Sequence, residues 1–171
     1  MAPERNRTAA VAVDLALKII DSADHAGISV VQGRELSTLL ASDHVVRRGD
    51  ALQYQLGEGP CLDAVRGQET VISRNLLEEA RWPEWTPRAA SVLGVKAMMS
   101  LWLYANPDGN DSHGALNLYS DSIDPCGPEY AIAQALAAQV SVALATHREI
   151  RGRGIAMTTR TIIGQAQGIF M

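Results

Sequence analysis

Cys61 is the side chain whose setting most suggests nucleophilic or redox chemistry. It follows Gly57, Glu58, Gly59 and Pro60 and opens a stretch, Cys61 to Arg66, with helical character. A thiol at a helix N-terminus has its pKa lowered by the dipole, which would suit a redox sensor. The alternative is a small apolar side chain packed in the interior, the usual fate of a free cysteine. Gly57 and Gly59 permit positive φ and close backbone approach, so their N–H groups suit either an anion-binding nest or a tight structural turn. The histidines His25, His44, His113 and His147 have no metal-ligand spacing, and no Ser-His-Asp set or phosphate loop can be read. The acids Glu78–Glu79 and Asp121–Asp124 read as solvated charges. No catalytic constellation and no cofactor site follow from these residues.

The elements that must position them come from periodicity. A helix is expected from an N-cap at Thr8, with Val11, Leu15 and Ile19 on one side and Ala12, Ala16 and Ile20 beside them, ending near Asp24 to Gly27. Strands follow at Ile28 to Val31 and Leu36 to Ala41, joined by a turn at Gln32 to Arg34. His44 to Tyr54 reads as a short helix or irregular crossover, Val71 to Ser73 as a brief strand, and Asn75 to Arg88 as a loop with a short helix. Val95 to Tyr104 is apolar on both sides apart from Ser100, as a strand covered on both faces requires. Ala105 to Gly114 is a loop, and Gly114 to Tyr119 returns as a partner strand. Pro128 opens a helix to about Ile150, with Ile132, Leu136, Val140 and Leu144 at heptad-like spacing that suggests a dimer. The order predicts an α+β domain, an antiparallel sheet flanked by terminal and crossover helices.

Composition narrows the class. The net charge is −4, which argues against tight non-specific nucleic-acid binding. Near the end, Arg148, Arg151, Arg153 and Arg160 make a local basic run. No segment is apolar and long enough to span a membrane, and the N-terminus lacks a signal-peptide layout. Two cysteines, Cys61 and Cys126, make no disulfide framework. A cytoplasmic protein is expected.

Family resemblance adds to this reading. LGEGPCLDA (Leu56 to Ala64) resembles the characteristic turn of GAF domains, above all those attached to ANTAR modules. VRGQETVIS (Val65 to Ser73), RWPEW (Arg81 to Trp85), GVKAMMSLWL (Gly94 to Leu103), GALNLYS (Gly114 to Ser120) and AQALAAQVSVALA (Ala133 to Ala145) match the same layout in order. Ala97 departs from it, standing where serine is frequent. TRTIIGQAQGIFM (Thr159 to Met171) is similar to the first helix of an ANTAR module, the RNA-binding output of bacterial antitermination regulators. Arg160, Ile163, Gln165, Ala166, Gly168, Ile169 and Met171 carry that likeness. The domains implied are a GAF sensor at 1–150, then a linker and the first ANTAR helix at 151–171.

The resemblance implies a small-molecule cradle between the sheet and the crossover segments. Tyr54, Leu56 and Cys61 would line it from the crossover, and Met98, Ser100 and Trp102 from alternate positions of one strand. It also implies a homodimer with an unidentified ligand. RNA would be bound only through a complete ANTAR module, so specific RNA binding is not expected of these 171 residues, and no RNA-binding residue can be carried over. The resemblance leaves two alternatives: a cysteine-dependent methionine sulfoxide reductase on the GAF fold, or a ligand-free dimerisation scaffold. Haem, which some GAF domains bind, would need a histidine ligand, but surface or structural roles for the four histidines are favoured.

Overall fold

Strands that alternate between two apolar faces need cover on both sides, and this chain supplies it with helices. A computed structural model describes residues 2–104, 114–124 and 129–159. In chain order it contains α1 (Ala2–Ile19), β1 (His25–Gln32), β2 (Glu35–Ala41), α2 (His44–Leu56), α3 (Pro60–Gly67), β3 (Val71–Ser73), a 3-10 turn (Leu76–Glu78), α4 (Trp85–Leu93), β4 (Ala97–Leu103), β5 (Gly114–Ser120) and α5 (Glu129–Thr159). The strands form one sheet in the order β2-β1-β5-β4-β3, with every pairing antiparallel. The expected α+β architecture is present. β4 is buried on both faces as anticipated, although the middle of the sheet belongs to β5.

The two faces differ in chemistry. One carries Ile28, Val30, Met99, Leu101, Leu103, Leu116 and Leu118 and packs against Ala12, Val13 and Ala16 of α1, Ile20 just beyond it, and Leu136, Ala137, Val140 and Leu144 of α5. That layer is apolar except for the buried Ser141 of α5, whose hydroxyl donates to the Ala137 carbonyl one turn back. The other face meets α2, α3 and α4 through Val46, Cys61, Ala64, Trp85, Ala89, Met98, Ala115 and Tyr119. Between these, the inward positions Ser29, Ser100 and Asn117 are polar and fully buried.

Several boundaries move. α1 begins at Ala2, upstream of the Thr8 cap anticipated, and stops at Ile19 rather than near Asp24. It stops early because the amides that would continue it have tertiary acceptors. The Glu129 carboxylate receives Asp21 N–H at 2.7 Å and Ser22 N–H at 3.1 Å, and Asp24 N–H donates to the Tyr119 carbonyl at 2.9 Å. β1 consequently starts at His25. α5 runs on to Thr159, beyond the expected end near Ile150. Leu136, Val140 and Leu144, three of the four residues that suggested a dimer, are spent inside the chain against α1 and the sheet, while Ile132 is exposed. Cys126, Pro128, His113, most of the 105–114 loop and the ANTAR-like positions from Arg160 to Met171 lie outside the described residues.

Candidate functional site

The polar residues facing α2 converge on one carboxyl group. Helical spacing places Asp50, Gln53 and Tyr54 of α2 on neighbouring positions of the helix surface. Asp43 caps the helix by accepting from Val45 N–H at 2.9 Å and Val46 N–H at 3.3 Å, and Gly57 ends it in the left-handed conformation. Asp50 is fully buried against the sheet. Its Oδ1 accepts from Tyr119 Oη at 2.5 Å and from Asn117 Nδ2 at 3.3 Å. Its Oδ2 accepts from Thr38 Oγ1 at 2.9 Å, with Ser29 Oγ at 3.4 Å. The half-buried Tyr54 hydroxyl bonds to Ser29 Oγ at 2.6 Å and to Thr38 Oγ1 at 3.0 Å. Ser100 donates to Asn117 Oδ1 at 2.8 Å, and Asn117 Nδ2 also reaches Ser29 Oγ at 3.0 Å. Four strands and one helix therefore share a single hydrogen-bond cluster.

A bulge makes this possible. The β1–β2 register pairs Ile28 with Leu40 but Ser29 with Thr38, leaving Leu39 without a partner. The extra residue turns both Leu39 and Leu40 toward the apolar layer and aims Thr38 at Asp50 from the same side as Ser29. Bulges recur where a strand must re-aim a side chain at a site.

The electrostatics follow from burial. Removal from water pushes the Asp50 pKa up to about 6, against the pull of its donors Tyr119, Thr38, Ser29 and Asn117. Burial, reinforced by the Asp50 charge, raises the pKa of Tyr54 and of Tyr119, so both remain phenols able to donate. The Cys61 thiol is likewise pushed up to about 12, first by burial and then by Asp50. Burial thus opposes the activation that a helix N-terminus suggested: α3 does begin at Pro60, but the Cys61 sulfur there is wholly removed from water.

The LGEGPC turn is a structural joint. Gln53 Oε1 accepts the Cys61 N–H at 2.8 Å, while Gln53 Nε2 donates to Tyr119 Oη at 3.2 Å. Gly59 sits at φ 142°, and a Cβ there would overlap the Gln53 carboxamide. Glu58 accepts from Glu84 N–H at 2.5 Å and Trp85 N–H at 2.7 Å, capping α4, which has no side-chain cap of its own. RWPEW has a similar role. Trp82 Nε1 donates to Asp63 at 2.9 Å, Trp85 Nε1 donates to the Gly49 carbonyl at 3.1 Å, and Arg81 stacks over Trp82 at 4.4 Å.

Of the expected lining residues, Tyr54, Cys61 and Ser100 join the Asp50 cluster, and Met98 touches it through Gln53 Nε2 at 3.7 Å. Leu56 only packs against the neighbouring apolar cluster. Trp102 pairs in register with Ala115, and its ring rests 5.8 Å from that of Tyr104, toward the strand end. Sequence reasoning missed Asp50, Ser29, Thr38, Gln53, Asn117 and Tyr119. A signal existed, because Ser29, Ser100 and Asn117 each interrupt an apolar run in the middle of β1, β4 and β5. Among the described residues no His/Cys/Asp/Glu group could hold a metal ion, and no helix is long and apolar enough to cross a membrane.

Solved structures share this architecture. The chain superposes on the GAF domain of a two-component sensor histidine kinase from Bacillus halodurans with a TM-score of 0.61 at 13% identity, covering 85% of this chain and 96% of that one. A GAF domain/HD domain protein from Geobacter sulfurreducens gives 0.61 at 10% identity, with 87% and 96% covered. The type II free methionine-R-sulfoxide reductase of Thermoplasma acidophilum gives 0.59 at 18% identity, with 82% and 91% covered. Such identities speak to fold alone. Among curated proteins none matches the chain. The GAF domain model matches residues 3–145, which span α1, the whole sheet and the packed part of α5, and the chain belongs to the GAF domain family.

Proposed function

We infer that this domain senses a small molecule on the α2 side of its sheet and serves as the regulatory input of an antitermination regulator that reads RNA through an ANTAR module. The observation that carries the sensory reading is the asymmetry of the two sheet faces. The α1/α5 layer is apolar except for Ser141, whose hydroxyl donates to the Ala137 carbonyl of its own helix, whereas the α2 layer holds a fully buried carboxyl amid hydroxyls and amides. Buried polar clusters cost desolvation and are worth less to stability than apolar packing of the same volume. The ANTAR reading is supported by the resemblance of Thr159 to Met171, and by α5, which extends past the domain core to Thr159. A thermal-shift screen of nucleotides, haem and polar metabolites tests the sensor. A saturable rise in melting temperature supports it, and a uniformly flat response supports the ligand-free scaffold instead. The 171-residue chain should not bind tandem-hairpin RNA specifically; a sub-micromolar, salt-resistant gel shift would count against that expectation.

The domain works as a homodimer in this reading. α1 leaves Val11, Leu15 and Ile19 exposed at i, i+4 and i+8, and α5 leaves Ala131, Ala135, Ala138 and Val142 exposed at coiled-coil spacing. Leu15→Asp with Val142→Asp should yield a monomer by sedimentation, and a wild-type chain already monomeric at high concentration would refute it. Catalysis is not part of the proposal. A reductase would need Cys61 as thiolate, and a buried thiol with its pKa near 12 opposes that. Methionine sulfoxide turnover lost on Cys61→Ser would reverse this judgement.

A further inference from the structure

Asp50 lies wholly inside the protein, and among the described residues no salt bridge reaches it. Its four donors, Tyr119, Asn117, Thr38 and Ser29, are all neutral. Buried charges in proteins are ordinarily paired with an opposite charge or a metal. We propose that the Asp50 cluster is the recognition end of the sensory site for a compact organic cation, a primary ammonium or guanidinium group, admitted between α2 and the edge strand β2 past Tyr54. This rests on the sensory reading above and specifies the chemistry of its ligand.

Three observations fix the chemistry and the route. The two carboxylate oxygens are held unequally. Oδ1 is gripped by Tyr119 at 2.5 Å, deep in the sheet, whereas Oδ2 has Thr38 at 2.9 Å and a long contact to Ser29 at 3.4 Å. Oδ2 is thus the oxygen whose donors a ligand N–H replaces most readily. Tyr54 and Thr38 are the half-buried members of the cluster, the first on α2 and the second on the edge strand, so the side of the cluster nearest solvent lies between those elements. Tyr54, Ser29 and Thr38 are hydroxyls that can each reverse between donor and acceptor. When a cation takes Oδ2, they can turn to one another or to the ligand without stranding a polar group. A single carboxylate among neutral oxygens suits an organic cation better than calcium or magnesium, which take several carboxylates or keep their water.

The cation holds Asp50 ionised. Burial and the neutral donors otherwise leave the carboxyl titrating near 6, so binding in mildly acidic buffer expels a proton that binding at pH 8 does not. The titratable groups facing Asp50 are Tyr54 of α2, Cys61 of α3 and Tyr119 of β5, and all three remain protonated across this range.

The test uses the full chain with methylguanidinium and butylammonium chlorides. Acetate and N-methylacetamide serve as anionic and neutral controls, and potassium, magnesium and calcium chlorides as inorganic ones. At about tenfold excess over Kd, at least one organic cation should raise the melting temperature by about 3 °C, saturably, and Asp50→Asn should abolish the rise. An equal rise in Asp50→Asn, a rise with the metal salts alone, or none with either cation overturns the proposal. A saturable rise with acetate or N-methylacetamide overturns it too, while leaving the sensory reading intact. If Asp50→Asn does not fold, calorimetry in two buffers of different ionisation enthalpy decides. Proton release on cation binding at about pH 5.5 but not at about pH 8 supports the proposal, and its absence overturns it.

Discussion

Replacing Asp50 by Asn fixes in place a neutral group nearly identical in shape to the protonated acid, and so isolates what the buried charge costs. The carboxyl titrates near 6 in the folded protein, and its ordinary value is 3.8. The folded state therefore holds the proton more tightly than the unfolded chain. Stability from this group is fully present below the unfolded pKa and is lost as pH rises through the folded one. A displacement of this size corresponds to about 3 kcal/mol once both states are ionised. Asp50→Asn does not titrate. The difference in unfolding free energy, variant minus wild type, should therefore climb by about 2 kcal/mol between about pH 4 and about pH 7.5. Its offset at acid pH depends on how the amide re-pairs with Thr38 and Ser29, but the climb does not, because distant groups cancel between the two proteins. Urea unfolding followed by tryptophan fluorescence at five pH values provides the measurement. A difference that stays constant within about 0.5 kcal/mol over this range would refute the claim that Asp50 carries an uncompensated charge inside the fold.

Gly59→Ala forces a Cβ into the Gln53 carboxamide at a positive φ and should cost about 1–3 kcal/mol, read as a fall in melting temperature with the fold retained. In a Cys126→Ser background, Cys61 should resist a thiol reagent at pH 8 until urea exposes it; labelling of the native protein at the rate of a free thiol would contradict its burial. Burial would lower the His25 pKa, but hydrogen bonds to Asp43 at 2.7 Å and Asp121 at 3.0 Å, with their charges, raise it above the usual 6.5. Its contribution is then full below pH 6.5 and lost as pH rises through the folded value. His25→Gln should accordingly destabilise by on the order of 1 kcal/mol at about pH 6 and by less at about pH 8.5; equal losses at both would refute the pairing.

Local pattern made the strands and the β1–β2 hairpin legible, with Gly33 in the turn, and left α2 as a short helix or irregular crossover although its own residues bound it, Asp43 as cap and Gly57 as stop. What local pattern lacked was registry. Asp50 in a helix reading HVVRRGDALQYQL looks like one more solvated charge, and Ser29, Thr38 and Asn117 look like ordinary strand polar residues. They become a cluster only through the β1–β5 pairing and the bulge at Leu39, neither of which has a turn signal. The premature end of α1 is of the same kind, since Glu129 takes its amides from more than a hundred residues away. Tyr54, Cys61, Met98 and Ser100 were reached through family resemblance, which encodes registry that spacing does not. Leu56 and Trp102 were reached the same way and stand outside the Asp50 cluster.

The strand order also sets a timetable. β1 emerges from the ribosome early and finds β2 at once, but its other edge waits for β5, and the bond from Asn117 to Ser29 spans 88 residues. Until β5 arrives, β1 presents an open, apolar flank, and the Asp50 carboxyl lacks its two inner donors. Contacts this distant close slowly. The nascent chain therefore carries a half-built sheet from the emergence of β1 until β5 is made, and unpaired strand edges of that kind are open to wrong associations. No shortened product ending before Asn117 could complete the Asp50 cluster.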